Sequence, residues 1–256
     1  MNSKALSKFD RVLRCFTPAQ PRWTVTDIAR HMDMPVSTLH GIMADMVEMD
    51  FLSFSAQSKE YGVGFRYMEM GALHANNFEL NNIAVGIMHE LVFRLDYLVG
   101  LSVMYKGWMY VSTTVLPLRS TRGLKYIGPR LPAHMSAGGM AILSRLSDEL
   151  VRRYCGLDWE GAMIPPPRLE ELEGALEAAR RYGYARSRSG APSEIPANIA
   201  VPVFGRNGQV IAAIVIVGHD EGLPAEKFDY LVEKLTFSAN EISMRCGHIS
   251  QAHSYV

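Results

Sequence analysis

Apolar residues recur every three or four positions at the start of the chain, at Leu6, Phe9, Val12, Leu13 and Phe16. That period predicts an amphipathic helix. Pro18 and Pro21 end it, because proline lacks a backbone donor and crowds the preceding turn. Thr26 then reads as an N-cap for a short helix over residues 27–32, with Asp27 set against the positive end of the helix dipole. Asp33-Met34-Pro35 breaks that helix, and Ser37 reads as the cap of a third one, whose Leu39, Ile42, Met43 and Met46 share one face. Two short extended pieces follow, FLSFS from Phe51 and EYGVG from Glu60, joined by the polar loop Ala56-Gln57-Ser58-Lys59. Three helices followed by a β-hairpin is the element order of a winged helix-turn-helix.

Residues 65–97 carry helical spacing in two pieces, separated near Asn76-Asn77 and Asn81-Asn82. The period then changes. LVGLSVMY, a Lys106-Gly107 turn and WMYVSTTVL predict a β-hairpin. A loop rich in Gly, Pro and Arg leads into an apolar helix from about Ser136 to Leu146, and a further helix spans Leu169 to Tyr182. Strands are expected at YGYARSR and NIAVPVF, a turn at Asn207-Gly208, a buried strand at VIAAIVIV, and a last helix from about Ala225 to Cys246. The expected organisation is α+β: a winged helix-turn-helix over residues 1–66, a linker helix over 67–82, and an α/β domain over 83–256.

Composition narrows the partners. Lys plus Arg and Asp plus Glu number 26 each, so no global field draws the chain to polyanions, and any DNA contact must come from local placement of charge. A hydrophobic fraction of 48% excludes a disordered chain. Cys15, Cys155 and Cys246 are odd in number and scattered, which argues against a disulfide framework. The N-terminal residues mix charge into the apolar positions, unlike a signal peptide, and the most apolar run is too short to span a bilayer. A cytoplasmic protein without membrane partners is expected.

Four spaced phrases resemble those of the IclR family of bacterial transcriptional regulators, in the family's order and across nearly the whole chain. The family's helix-turn-helix phrase, S-E-I-A-R, a turn, then L-P-K-S-T-V-H-R-L-L, is similar to TDIARHMDMPVSTLHGIMADM at Ile28-Ala29-Arg30, Pro35, Ser37-Thr38 and His40. Its wing phrase Y-R-L-G is matched by Tyr61-Gly62-Val63-Gly64. Its G-R-R-L-P-L-H-A-T-A-x-G is matched by GPRLPAHMSAGG, Gly128 to Gly139, and its C-x-A-A-P-V with the D-G-x-V turn by NIAVPVFGRNGQV. The resemblance implies a linker helix, a GAF-like effector-binding domain for a small organic molecule, and a dimer or dimer of dimers on a palindromic operator in double-stranded DNA.

A recognition helix reads bases chiefly from its N-terminal part. Ser37, Thr38 and His40 are therefore the expected base and phosphate contacts, with Gly41 beside them and Thr26, Arg22, Arg30 and Lys59 of the wing as anchors. Asp45 and Glu48 lie further along, where such a helix climbs out of the groove. The family's lysine before Ser-Thr is Val36 here, and its arginine after histidine is Gly41; both changes remove phosphate neutralisation. Residues 1–70 hold eight basic and eight acidic side chains, so contact must be directional.

In the second domain the resemblance places His134, Met135, Ser136, Ala137 and Gly138 against the effector. His134-Met135-Ser136-Ala137-Gly138 also looks like a G-x-S-x-G nucleophile elbow, but His134 stands where the sharp turn needs glycine, so no catalytic role and no enzyme is expected. His134 is open to two readings, a ligand contact or a structural histidine. The family's C-x-A-A-P-V strand puts Asn198 and Ala200 at the pocket, and Val215 and Val217 replace its strand serines. Arg186 and Arg188 would share one side of a strand and would suit an anionic ligand with an apolar body, unless both face solvent. Trp108, Tyr110 and Tyr126 are candidates for an aromatic wall, for core packing or for a dimer contact. Cys246-x-His248 has no companion pair, so neither a metal nor a cofactor is expected. Two rivals remain: a ligand-sensing adaptor with weakened DNA contact, and an enzyme processing a small acid through Ser136 or Cys155.

Overall fold

The computed structural model describes residues 4–17, 19–118, 130–157, 167–187, 198–218 and 223–248. The chain divides into two compact units, Met1–Asn77 and Phe78–Val256.

In the first unit, helices α1 (Lys4–Cys15), α2 (Val25–Met32) and α3 (Val36–Glu48) surround a small core, with β1 (Trp23–Thr24), β2 (Leu52–Ser55) and β3 (Glu60–Val63) forming the wing. The sheet order is β1-β3-β2, and both pairings are antiparallel. Val12, Ile28, Ala29, Leu39, Met43, Met46 and Leu52 fill the core, so the helical stripe read in the sequence is the packed one. Its first member differs. Leu6 is exposed, because the first turn of α1 runs out ahead of Phe9, where the core begins. β1 is two residues long, too short to leave a period in the sequence.

Both expected helix caps are displaced. Thr24, not Thr26, caps α2: it holds extended backbone, and its Oγ1 accepts from the Asp27 N–H at 3.2 Å and donates to Asp27 Oδ2 at 2.6 Å. Ser37 does not cap α3. Pro35 occupies the cap, its carbonyl accepting from the Thr38 and Leu39 N–H groups at 3.1 Å, so Ser37 lies within the first turn with its hydroxyl exposed. Proline's set φ suits a helix start and offers no side-chain acceptor. After the wing comes α4 (Arg66–Asn77).

The second unit opens with α5 (Glu79–Leu95), followed by the hairpin β4 (Leu98–Tyr105) and β5 (Trp108–Val115). The break between α4 and α5 falls at Phe78, between the two expected asparagine pairs. The remaining elements are β6 (Leu131–Pro132), α6 (Ala137–Leu143), α7 (Asp148–Cys155), α8 (Leu169–Tyr182), β7 (Ala185–Arg186), β8 (Asn198–Phe204), β9 (Val210–Val217) and α9 (Phe228–Arg245). Among the described residues the sheet order is β6-β5-β4-β9-β8-β7, antiparallel throughout.

Helices cover both faces of this sheet. Ala212, Ile214 and Ile216 of β9 pack with α5 and α9, while Ala213, Val215 and Val217 pack with α6, α7 and α8. A strand buried on both sides reads as a continuous apolar run, as VIAAIVIV does. Burying Ile199, Ile214 and Ile216 completely stabilises the unit by about 1.5–3 kcal/mol each. Helix α7 was not anticipated. Its signal is local: Ser147 caps it through the Leu150 N–H, Asp148 and Glu149 occupy its first turn, and Arg152 and Arg153 its last. Among the described residues no helix is long and apolar enough to cross a membrane.

Candidate nucleic-acid interface and ligand site

Leu39, Met43 and Met46 anchor α3 in the core, and Ile42 is half-buried beside them. Ser37, Thr38, His40, Gly41, Ala44, Asp45 and Glu48 are all exposed. At about 100° per residue, Ser37, His40, Gly41, Ala44 and Glu48 cluster on one side, with Thr38 and Asp45 further round. The two small residues leave that side low, and a Cβ added at Gly41 would meet nothing within 4 Å. Gly41→Ala is therefore expected to stabilise the first unit by about 0.5–1 kcal/mol, read as a rise in its unfolding temperature. If operator affinity falls although stability rises, the glycine serves close approach to DNA.

The expected anchors lie on different elements. Thr26 and Arg30 sit on α2, where the Arg30 guanidinium meets Asp27 at 3.2 Å in an exposed pair. Such a pair contributes about 0–1 kcal/mol, so little opposes re-aiming Arg30 at a phosphate. Arg22 is exposed beside β3, 3.7 Å from where a Gly62 Cβ would stand. Lys59 is exposed in the wing turn with φ of 58°, its N–H closing onto the Ser55 carbonyl at 2.8 Å. Thr26 and Arg30, with Ala29, Asp33, Met34, Pro35 and Val36, line an open recess of ≈ 580 Å³ at the α2–α3 turn.

In the second unit a single helical turn, Ala133–Met135, runs into α6. Ser136 caps α6, its Oγ accepting from the Gly139 N–H at 3.0 Å, and a Cβ on Gly138 would stand 3.0 Å from Ser102 Cβ and 3.2 Å from Val215 Cγ2. The expected residues Ala137, Gly138, Ala200, Val215 and Val217 thus lie together on the α6 side of the sheet, with His134, Met135 and Ser136 half-buried at its edge.

His134 belongs to a pair that the sequence did not reveal. The Tyr154 hydroxyl, carried by α7, accepts the His134 backbone N–H at 2.9 Å and lies 2.5 Å from its Nδ1. Burial pushes the imidazole pKa down and the Tyr154 hydroxyl well above its ordinary range. A neutral His134 has a consequence for stability. As pH falls through the ordinary histidine value near 6.5, the unfolded chain takes up a proton that the folded chain refuses. The second unit should therefore lose stability as pH drops below about 6.5, down to the depressed native value, and His134→Gln should flatten that slope in thermal scans from pH 8 to 5. A wild-type slope indistinguishable from that of the variant would dismiss the neutral buried imidazole.

Asn198 is half-buried at the start of β8, and its Oδ1 is sealed from solvent with no hydrogen-bond partner. Thr114, which sequence reasoning missed, is in the same condition at Oγ1. Register joins Thr114 to Gly100 and Gly100 to Val215, which sets Thr114 on the α6 side as well. The signal in the sequence was its place in the hydroxyl run Ser112-Thr113-Thr114 of β5.

Two expected pocket residues are elsewhere. Arg186 pairs in register with Ile199 and lies 5.4 Å from the Phe228 ring, on the α5–α9 side. Alternation gives the α6 side to Ala185, opposite Ala200, so Arg186 does not join Asn198. Tyr110 stands opposite Val103, whose side chain packs towards α5 and α9, and is exposed. Trp108 packs against the α6–α8 cluster beneath the Arg130 guanidinium, 4.2 Å from its ring centroid. Arg188 and Tyr126 lie outside the described residues, as do Gly128 and Pro129 of the motif. Among the described residues no three His, Cys, Asp or Glu side chains group as a metal site would require.

Two family models match the chain: the IclR helix-turn-helix domain over residues 5–55, and the bacterial transcriptional regulator IclR C-terminal domain over residues 72–244. The HTH-type transcriptional regulator KipR of Bacillus subtilis is 28% identical over 90% of this chain and 92% of its own. The HTH-type transcriptional repressor AllR of Escherichia coli K12 is 25% identical over 96% and 91%. An IclR transcriptional regulator from Alicyclobacillus acidocaldarius shares the fold with a TM-score of 0.78 at 21% identity, covering 96% of this chain and 100% of that one. An IclR homolog from Microbacterium hydrocarbonoxydans, solved with 4-hydroxybenzoate, does so with a TM-score of 0.75 at 23% identity, over 95% and 99%.

Proposed function

The chain belongs to the IclR family of bacterial transcriptional regulators, and from that premise we propose that it binds a specific operator under the control of a small organic acid, aromatic or otherwise apolar in body. Residues 1–66 serve as the DNA-binding domain, 67–82 as the linker, and 83–256 as the effector-binding and oligomerisation domain. The observation that carries this reading is α3 itself, with one face locked in the core and Ser37, Thr38 and His40 exposed at its leading end. Hydroxyls there bond phosphates or base edges, and an imidazole N–H donates to a purine acceptor. His40→Ala should weaken specific binding about tenfold, at the lower end of the roughly 1–3 kcal/mol that a good bidentate base contact contributes. Competition shifts on DNA from the gene's own promoter region measure it. Unchanged affinity removes His40 from the interface, and no competable shift at all sinks the DNA-binding function.

The effector site is the α6 side of the sheet, where the sealed Asn198 Oδ1 and Thr114 Oγ1 lack partners that a ligand or bound water would supply. With Arg186 on the other face, support for an acid comes from the 4-hydroxybenzoate held by the Microbacterium relative. A thermal-shift panel of small carboxylates tests it, since a ligand at 100 times its Kd stabilises by about 2.7 kcal/mol. A panel in which only uncharged compounds act would refute the acid. Self-association into a dimer or a pair of dimers is supported by large exposed apolar side chains, Phe65 and Met68 in the first unit and Phe93 and Phe237 in the second. A ligand that prefers one arrangement of the paired reading heads would then shift operator affinity.

The enzyme rival has little to work with. Ser136 Oγ is engaged as a cap, and burial with nearby Glu170 holds the Cys155 thiol in its protonated form. The adaptor rival rests on the lost charges at Val36 and Gly41, and predicts effector binding without salt-dependent DNA affinity.

A further inference from the structure

Val36 is the first residue of α3 and is 43% exposed, although the other large apolar side chains of this helix, Leu39, Ile42, Met43, Met46 and Val47, are buried or half-buried. On the helical wheel it lies about 20° from Met43, so the apolar stripe continues past the core onto the leading turn. It also lies about 40° from His40, which puts it at the border between the buried face and the face that carries Ser37 and His40. Its side chain forms part of the recess at the α2–α3 turn, whose other walls include Thr26 and Arg30. A DNA strand tracking that recess would meet the Thr26 hydroxyl and the Arg30 guanidinium at its phosphates, with the Asp33 carboxylate beside them, and an isopropyl group at a base edge.

In the major groove, the apolar feature that a base presents is the 5-methyl of thymine, and aliphatic side chains read it by contact. Resting on the DNA-binding reading above, we propose that Val36 is a specificity-determining residue that recognises a thymine methyl within each operator half-site. What the chain lacks in phosphate charge at this position it then regains as base discrimination. Gly41 and Ala44, small residues on the neighbouring Ser37–His40 side of α3, let the helix come near enough for a side chain as short as valine to reach the base.

The test uses the full chain and the tightest site enriched by in vitro selection from random duplex DNA. Each thymine of that site is replaced singly by deoxyuridine, which deletes only the methyl group. At one thymine per half-site the replacement should weaken wild-type binding about fourfold, the effect of one lost apolar methyl contact. Val36→Ala should bind the thymine site about as weakly as wild type binds the uracil site, and should be indifferent to the replacement. Val36→Thr, which keeps one γ-methyl, should retain part of the discrimination. Far-UV circular dichroism of both variants should match wild type, since the position is exposed. A selected site whose affinity ignores every thymine methyl overturns the assignment, as does Val36→Ala with the wild-type penalty intact. A chain that enriches no sequence overturns the DNA-binding reading itself, and Val36 with it.

Discussion

Gly64→Ala should unfold the wing and abolish operator binding while the second unit keeps its own unfolding transition. A Cβ at Gly64 would stand 2.0 Å from the Asp50 carbonyl oxygen and 2.8 Å from the Phe51 carbonyl carbon. Both obstacles are backbone, so no side chain can swing aside. The approach is close because the Gly64 N–H donates to the Phe51 carbonyl at 3.0 Å, tying the end of β3 to the start of β2. Such overpacking costs about 3 kcal/mol or more, a large share of the stability of a unit this small. At about 4–8 °C per kcal/mol for a domain of that size, the first transition in calorimetry should fall by more than ten degrees. A variant that melts like wild type would mean that the wing closes differently.

Gly139→Ala should do the corresponding damage to the second unit. A Cβ there would stand 2.0 Å from the Ala133 carbonyl oxygen and 2.6 Å from Ala133 Cα, because the turn at Ala133–Met135 folds back over the first turn of α6. Relief requires that turn to move. His134 sits on it and is held by Tyr154, and Ser136, whose Oγ caps Gly139, ends it. A loss of about 3 kcal/mol is expected, seen as a drop of about 6–12 °C in the larger unit's transition, together with loss of any thermal shift by an effector. DNA binding by the untouched first unit sets the contrast with Gly64→Ala. Wild-type melting combined with a normal effector shift would show that the α6 side does not depend on this turn.

These two glycines close the wing phrase and the GPRLPAHMSAGG phrase that marked the resemblance in the first place. Their presence was legible from the chain, but their reason was not. A Cβ at each would clash with a carbonyl brought near by tertiary folding or by a reversal of the chain, and no hydrophobic period encodes that. Helix α7 was missed although Ser147, two acids and two arginines announced its ends, because only eight residues carry it. Tyr154 was missed with it, and so was the hydroxyl that meets His134. Alternation along YGYARSR puts Arg186 and Arg188 on one side, facing ligand or solvent, and the register of strand β7, Ala185–Arg186, turns Arg186 to the face away from Asn198. Counting along one strand fixes relative sides but not which side faces the site; pairing with the neighbouring strand decides that.

Local periodicity and residue chemistry determined the order of the longer helices and strands, the helix-turn-helix, and the buried run of β9. Those properties depend on neighbours within a few residues, and the chain states them directly. Tertiary structure decided which face of the sheet each residue joins, and that the buried polar atoms at Asn198 and Thr114 lack partners. Those depend on contacts between distant segments, whose geometry is set by packing rather than by any local preference.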